Sequence, residues 1–284
     1  MFHRKKTVWF YLAPGLIGLL AFYFIPFVWG MWFSVTDGSI DNRYVGFSNY
    51  LRIWQNPMFQ LGLRNTLELS LLCAPMIFLL SFFLATMLRK RVAGDGFFRN
   101  ALLMPYLMPS AAMLIIWQIL FDYGGVLNRL VTALGLERVM WLEGSAMRAP
   151  ILVLYIWKNL GFSVVIFTAA LQAVPEALYE YASLEGAGYV RREWYITLPQ
   201  ILPTAFLVLV LAMVNAFKIF KEVYIIGGAY PDETVYTLQH YMNNMFSKLE
   251  YQAVTTAAYS FAVIVVLLFL LMYRTRQVRQ GEAA

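Results

Sequence analysis

Very few of these 284 residues are equipped for covalent chemistry. The two histidines, His3 and His240, stand at opposite ends of the chain and make no metal-ligand spacing. Cys73 is the single cysteine and lies in an apolar run, with no polar neighbour to turn its thiol into a nucleophile and no partner for an intrachain disulfide. No Gly-x-x-x-x-Gly-Lys-Ser/Thr segment occurs, so the chain lacks the backbone cradle and lysine that hold nucleotide phosphates by the usual route. These features argue against an enzyme and imply no cofactor in this chain. What remains is recognition and motion, and two groups of residues are placed for it.

The first group is Asn215, Lys218, Lys221 and Glu222, which recur at helical spacing with Lys218 and Glu222 four apart, beside Phe217 and Phe220. Hydrogen-bonding groups next to stacking rings suit a hydroxyl-rich solute, so Asn215, Phe217 and Lys218 are candidate pathway residues. The same charges also suit long side chains reaching out to a polar boundary. The second group runs from Pro175 to Pro199. Proline at a first helical position, with Glu176 and Glu180 in the early turns, predicts a helix start. Gly186 and Gly188 supply the permissive backbone that ends that helix, and Tyr189 to Leu198 can form a second short one before Pro199. The small residues Ala182, Gly186, Ala187 and Gly188 let another surface come close, and Glu180 and Glu185 give it charged edges.

The elements that must carry these groups follow from composition. Hydrophobic residues make up 61% and charged residues 13% of the chain, at a mean hydropathy of +0.62, which excludes an ordinary soluble protein. A hydrocarbon core of about 30 Å needs roughly 20 helical residues. Six windows of that kind occur, at approximately 8–33, 65–88, 100–121, 150–172, 200–222 and 252–273, and predict an all-α integral membrane protein with a single domain over 1–284. Pro14, Pro26, Pro75, Pro105 and Pro109 fall inside apolar windows and predict kinked or broken spans.

An even number of spans places both termini on one side. That side receives Arg4, Lys5, Lys6, Arg89, Lys90, Arg91, Arg99, Arg191, Arg192, Arg274, Arg276 and Arg279, more basic residues than the other, which predicts cytoplasmic termini and a cytoplasmic 175–199 loop. The net charge of +6 then reads as topology and leaflet attraction rather than a nucleic-acid footprint. The first span is too long for a signal h-region and should remain uncleaved. Glu68 and Glu222, the carboxylates an ion-coupled carrier could use, lie near span ends and are read as interfacial.

Glu180-Tyr181-Ala182, Glu185-Gly186-Ala187 and Ile196-Thr197-Leu198-Pro199 together resemble the EAA loop of ABC importer permeases, with Tyr181 at the usual first Ala and Glu185 at a common Asp. The resemblance extends through Tyr11-Leu-Ala-Pro14, Phe33-Ser34-Val-Thr36-Asp37, Val45-Gly46-Phe-Ser-Asn49-Tyr50 and Arg64-Asn65-Thr66. It continues in Arg99-Asn-Ala-Leu-Leu-Met-Pro105-Tyr106, Gly125-Val-Leu-Asn128 and Trp157-Lys158-Asn-Leu-Gly161-Phe162. In this order they are similar to the first of the two permease types in carbohydrate importers of the maltose, lactose and glycerol-phosphate kind.

The resemblance implies a type I importer permease fold in a prokaryotic plasma membrane. It also implies a second permease, two ATPase subunits that hold ATP and Mg, and an extracytoplasmic sugar-binding protein. The 175–199 loop would be the coupling helix that docks on an ATPase subunit, through Glu180, Ala182 and Gly186, with Tyr181, Glu185, Ala187, Leu198 and Pro199 completing the motif. A permease for a non-sugar solute and an ion-coupled secondary transporter are the alternatives.

Overall fold

The computed structural model describes residues 2–89 and 95–281; Lys90 and Arg91, counted above with the basic residues, lie outside it. Fourteen α-helices follow one another among the described residues: α1 Phe2–Leu19, α2 Ile25–Ser34, α3 Ser48–Trp54, α4 Pro57–Met87, α5 Asp95–Leu107, α6 Ser110–Phe121, α7 Val126–Ala133, α8 Arg148–Gln172, α9 Glu176–Leu184, α10 Tyr189–Arg192, α11 Leu198–Ala216, α12 Phe220–Gly227, α13 Leu238–Ser247 and α14 Tyr251–Gly281. Among the described residues six stretches are long and apolar enough to cross a membrane: Phe10–Ser34, Pro57–Met87, Ser110–Ala133, Gly144–Gln172, Tyr189–Gly227 and Tyr251–Arg274. Of the five prolines expected to kink or break spans, Pro14, Pro75 and Pro105 lie inside α1, α4 and α5, which run through them, whereas Pro26 and Pro109 stand at element boundaries. A π-turn over Leu20–Phe24 leads into Pro26, which cannot donate to the turn before it, and the expected 100–121 span divides at Pro109 into α5 and α6, the candidate membrane span there being Ser110–Ala133.

The helices gather into two compact units. One comprises 1–60 and 241–284. Its organising residue is Asn49, whose Nδ2 donates to the carbonyls of Ser34 (3.0 Å) and Thr36 (2.8 Å), two of the acceptors left open where α2 ends. Ser34 Oγ meets Tyr50 Oη at 2.9 Å, and an isolated bridge joins Thr36 to Tyr44. Asp37 Oδ1 closes the loop by accepting from Ser39 N, Ser39 Oγ and Arg43 N, and those bonds hold its carboxyl below the usual carboxylate range. α14 packs on α2 and α3, with Thr256 and Ala257 fully buried and Tyr259 Oη donating to the Phe27 carbonyl.

The second unit comprises 61–240 and is built on α8, which packs against α5, α11 and α12. Ala85, Val164, Phe167, Leu171, Ile201, Ala205 and Val208 form its core, with Phe78 and Phe82 edge-on to Phe167. Lipid offers apolar side chains the same solvent as a core does, so close packing rather than water exclusion must hold such helices together. Gly161 shows how close: a Cβ there would stand 1.8 Å from the Leu102 carbonyl oxygen of α5. One residue on, Phe162 stacks on Tyr106 at 4.9 Å. Gly161→Ala is therefore expected to force α5 off α8, at the upper end of the roughly 1–3 kcal/mol that overpacking costs. Fluorescence-detected gel filtration should show most of the folded peak lost, and a native-like peak would contradict the packing.

One end of this unit is marked by Arg89 beside Glu193, and the other by Arg148 beside Glu68 and by Asn65. Asn65 Nδ2 donates to the carbonyls of Glu233 (2.5 Å) and Tyr236 (2.9 Å), and Thr66 Oγ1 accepts from Leu238 N–H at 2.9 Å. Together they clip the 233–238 segment onto α4. Asn128 does the same between α7 and the chain after it, exchanging bonds with Val139 in both directions and accepting from Trp141 Nε1. Each pairs with backbone groups that would otherwise be buried unsatisfied.

His240 is fully buried on this segment, its Nδ1 accepting from Thr237 N–H at 3.2 Å and its ring against Phe220 at 4.6 Å. Burial pushes its pKa down to about 4, so it is neutral when folded. The unfolded chain, titrating near 6.5, binds the extra proton first as pH falls. Stability is thus full above about 6.5 and drains away down to about 4, by on the order of 3 kcal/mol. Thermal unfolding from pH 8 to pH 4 should show that slope, and His240→Phe should flatten it; an unchanged slope would contradict this account.

Candidate functional site

The segment 175–199 folds as the helix-turn-helix its sequence predicts, and the turn is specified by Gly186. α9 ends with Ala187 N–H bonded to the Ala182 carbonyl (2.9 Å) and Gly186 N–H to the Ser183 carbonyl (3.1 Å), while Gly186 takes φ +78°. That bond pair is the Schellman cap, and its left-handed residue favours glycine because a Cβ there crowds the backbone. The second helix differs from expectation. Instead of running from 189 to 198, α10 makes one turn and passes through a π-turn, Glu193–Thr197, into α11. Pro199 is accommodated because first-turn positions need no N–H.

Two faces result. Glu180, Tyr181, Glu185 and Gly186 are exposed, as is Pro199, with Ala182, Ala187 and Leu198 half-buried between them. The inward face carries residues that sequence reading did not single out. Tyr179 is buried, its hydroxyl 2.8 Å from Thr197 Oγ1, and the Arg89 guanidinium lies 4.1 Å over its ring. Arg89 also pairs with Glu193 at 3.4 Å, and Arg192 donates to Ser183 Oγ at 2.7 Å. These contacts join α9, the π-turn and Arg89, two residues beyond the end of α4. The signal available in the sequence was Tyr179 three residues before Ala182, a large ring and a small residue on one helical face.

The proposed pathway group is rearranged. α11 stops at Ala216, and Phe217, Lys218 and Ile219 form a turn before α12. The continuous helix that would set Lys218 against Glu222 is therefore absent. Lys218 is exposed, and Asn215 and Phe217 are half-buried. Glu222, read above as interfacial, is 4% exposed and pairs with Lys158 Nζ at 2.5 Å. Lys158 also donates to Ser110 Oγ at 2.9 Å, so this charge cluster joins α6, α8 and α12. Glu68 does sit at a half-exposed position, between Arg64 (2.7 Å) and Arg148 (3.1 Å). Trp117 stacks on Trp157 at 5.6 Å beside the cluster's helices. Among the described residues no group of three or more His, Cys, Asp or Glu could hold a metal ion.

Six apolar spans, with a braced helix-turn-helix between the fourth and fifth, define an integral membrane component. The family of binding-protein-dependent transport system inner membrane components matches residues 77–278, and the chain belongs to it. It is 27% identical to the trehalose/maltose transport system permease protein MalF of Thermococcus litoralis, over 96% of this chain and 94% of that one. It is 28% identical to the sn-glycerol-3-phosphate transport system permease protein UgpA of Agrobacterium fabrum, over 99% and 97%. A crystal structure of a bacterial ABC transporter involved in the import of the acidic polysaccharide alginate superposes with a TM-score of 0.86 at 23% identity, covering 97% of this chain and 96% of that one. The likeness establishes the fold as that of an importer permease.

Proposed function

We propose that this chain is one permease subunit of an ATP-driven importer that carries a sugar or related polyol delivered by an extracytoplasmic binding protein. The helix-turn-helix with its Gly186 cap and Arg89–Tyr179–Glu193 brace is the observation that carries the reading. A surface exposed on one side and braced on the other can transmit displacement. The solute class rests on the relatives, which are named for trehalose and maltose, diacetylchitobiose and glycerol phosphate.

In this reading the termini and the 175–199 loop are cytoplasmic, a second permease completes the pathway, and two ATPase subunits bind ATP and Mg. Glu180, Tyr181, Ala182, Glu185, Gly186 and Ala187 dock on one of them, with Leu198 and Pro199 passing the motion to α11. Docking can shift the helices between inward-open and outward-open states only if its free energy differs between the two. Asn215, Phe217 and Lys218 stand at the break that separates α11 from α12 and line the solute's path. The ion-coupled alternative needs a carboxylate free to load an ion, whereas Glu222 is neutralised by Lys158.

The test is uptake by membrane vesicles containing the co-purified complex. Sugar uptake should require ATP-Mg and the binding protein and should not respond to an imposed proton or sodium gradient. Gradient-driven uptake without ATP would overturn the assignment. The captured binding protein should be stabilised by its own sugar alone across a panel, with a rise in Tm set by ligand concentration over Kd.

A further inference from the structure

The stretch after Gly188 has a closed face and an open one. Glu193 and Thr197 are buried and Arg192 is tied to Ser183. On the opposite side Val190, Trp194 and Tyr195 are 67%, 64% and 77% exposed, with Arg191 exposed among them. These four residues bound one open groove. Val190 and Trp194, like Arg191 and Tyr195, are four residues apart, which sets them side by side. Arg191 has no ion-pair partner among the described residues, unlike Arg89 at the same end of the unit.

The position of this face along its span says what covers it. Tyr189–Gly227 is one candidate membrane span, and its apolar helix begins at Leu198. At about 1.5 Å per residue, Trp194 and Tyr195 stand roughly 5 Å before that point and Arg191 roughly 10 Å before it. Those are the depths of the glycerol region and of the phosphates for a helix entering a bilayer. Amphipathic indole and phenol rings favour the first level, and a guanidinium matches a phosphate in the second.

We propose that Val190, Arg191, Trp194 and Tyr195 form a bilayer-anchoring site that seats an anionic phospholipid headgroup, with Arg191 on the phosphate and the two rings at the glycerol level. An anionic lipid is favoured over a choline lipid because no headgroup ammonium competes with Arg191 for the phosphate. The site stands on the geometry of this face alone. Its consequence rests on the coupling reading: lipid holds the π-turn that carries Trp194 and Tyr195 while the partner displaces α9, so the Glu185–Gly188 turn between them is where the two halves of the loop hinge.

The test uses the full-length chain in bilayers of equal phosphatidylglycerol and phosphatidylcholine in which one lipid at a time carries brominated acyl chains. Trp194 emission is taken as the difference between the native chain and Trp194→Phe, a substitution that preserves an aromatic ring. Brominated phosphatidylglycerol should quench Trp194 about twofold or more beyond brominated phosphatidylcholine, and Arg191→Gln should remove that preference. No quenching by either lipid would overturn the proposal by placing the face against water or another protein. Equal quenching in the native chain would overturn the headgroup site. Loss of the preference in excess inorganic phosphate would show a site for free anions instead. Because the readout is lipid contact, it fails separately from any failure of coupling in uptake assays.

Discussion

Glu222→Ala is expected to remove most of the folded protein from the membrane, and Lys158→Met together with Glu222→Leu to restore much of it. Lys158 and Glu222 are 2.5 Å apart, with side chains 15% and 5% exposed, inside a candidate membrane-spanning region. Truncating Glu222 leaves the Lys158 charge buried with Ser110 Oγ as its remaining hydrogen-bond partner among the described residues, and breaking such a pair costs about 3–5 kcal/mol. Against a total stability of roughly 5–15 kcal/mol, that is enough to unfold a large share of molecules. Replacing both residues by apolar ones of similar size removes the charge problem altogether and is often neutral. The measurement is folded yield and thermal unfolding in micelles for both single variants and the double. Equal losses in singles and double would mean that the two residues act independently, contrary to the geometry.

The second large effect is on coupling, with folding spared. Gly186 sits at φ +78°, while proline is confined near −65° and has no N–H to give to the Ser183 carbonyl. Gly186→Pro must therefore open the cap and redirect α10. The turn is exposed, and a Cβ added at Gly186 meets nothing within 4 Å, so membrane insertion and yield should remain close to native. Uptake should fall by about tenfold or more, the equivalent of only 1.4 kcal/mol in coupling, while the partner's ATP hydrolysis continues. Gly186→Ala gives the graded control: the left-handed conformation costs it roughly 1–2 kcal/mol but leaves the amide in place, so the loss should be partial. Native uptake in Gly186→Pro would sink the role of this loop.

The two variants separate what the sequence showed from what it hid. Gly186 was legible because helix start, helix length and glycine stop all lie within a dozen residues, where local preferences operate. The partner of Glu222 was not. Lys218, four residues away, is the natural candidate on an unbroken helix, but the turn at 217–219 rotates it away, and Lys158 reaches Glu222 from another helix. The matched fragments were visible as a series, yet their reason was not. Phe162 proves to stack on Tyr106, Asn49 to hold the end of α2, and Asn65 and Asn128 to pin chain segments by backbone hydrogen bonds.

Local sequence was enough to show that the bilayer is this protein's solvent, that six apolar spans suit it, and where a glycine-capped helix-turn-helix projects; it did not tell the prolines that end elements, Pro26 and Pro109, from Pro14, Pro75 and Pro105, which helices run through. What it did show is set by hydropathy, periodicity or backbone preference over at most a few turns. Three-dimensional packing was needed to show that the loop is braced by Arg89 and Glu193 across 104 residues, that Glu222 is buried against Lys158, and that one side of the loop is left open beside the start of its span. Those outcomes depend on which helices lie side by side and at what rotation. Packing sets both, and it is specified jointly by residues far apart in the chain.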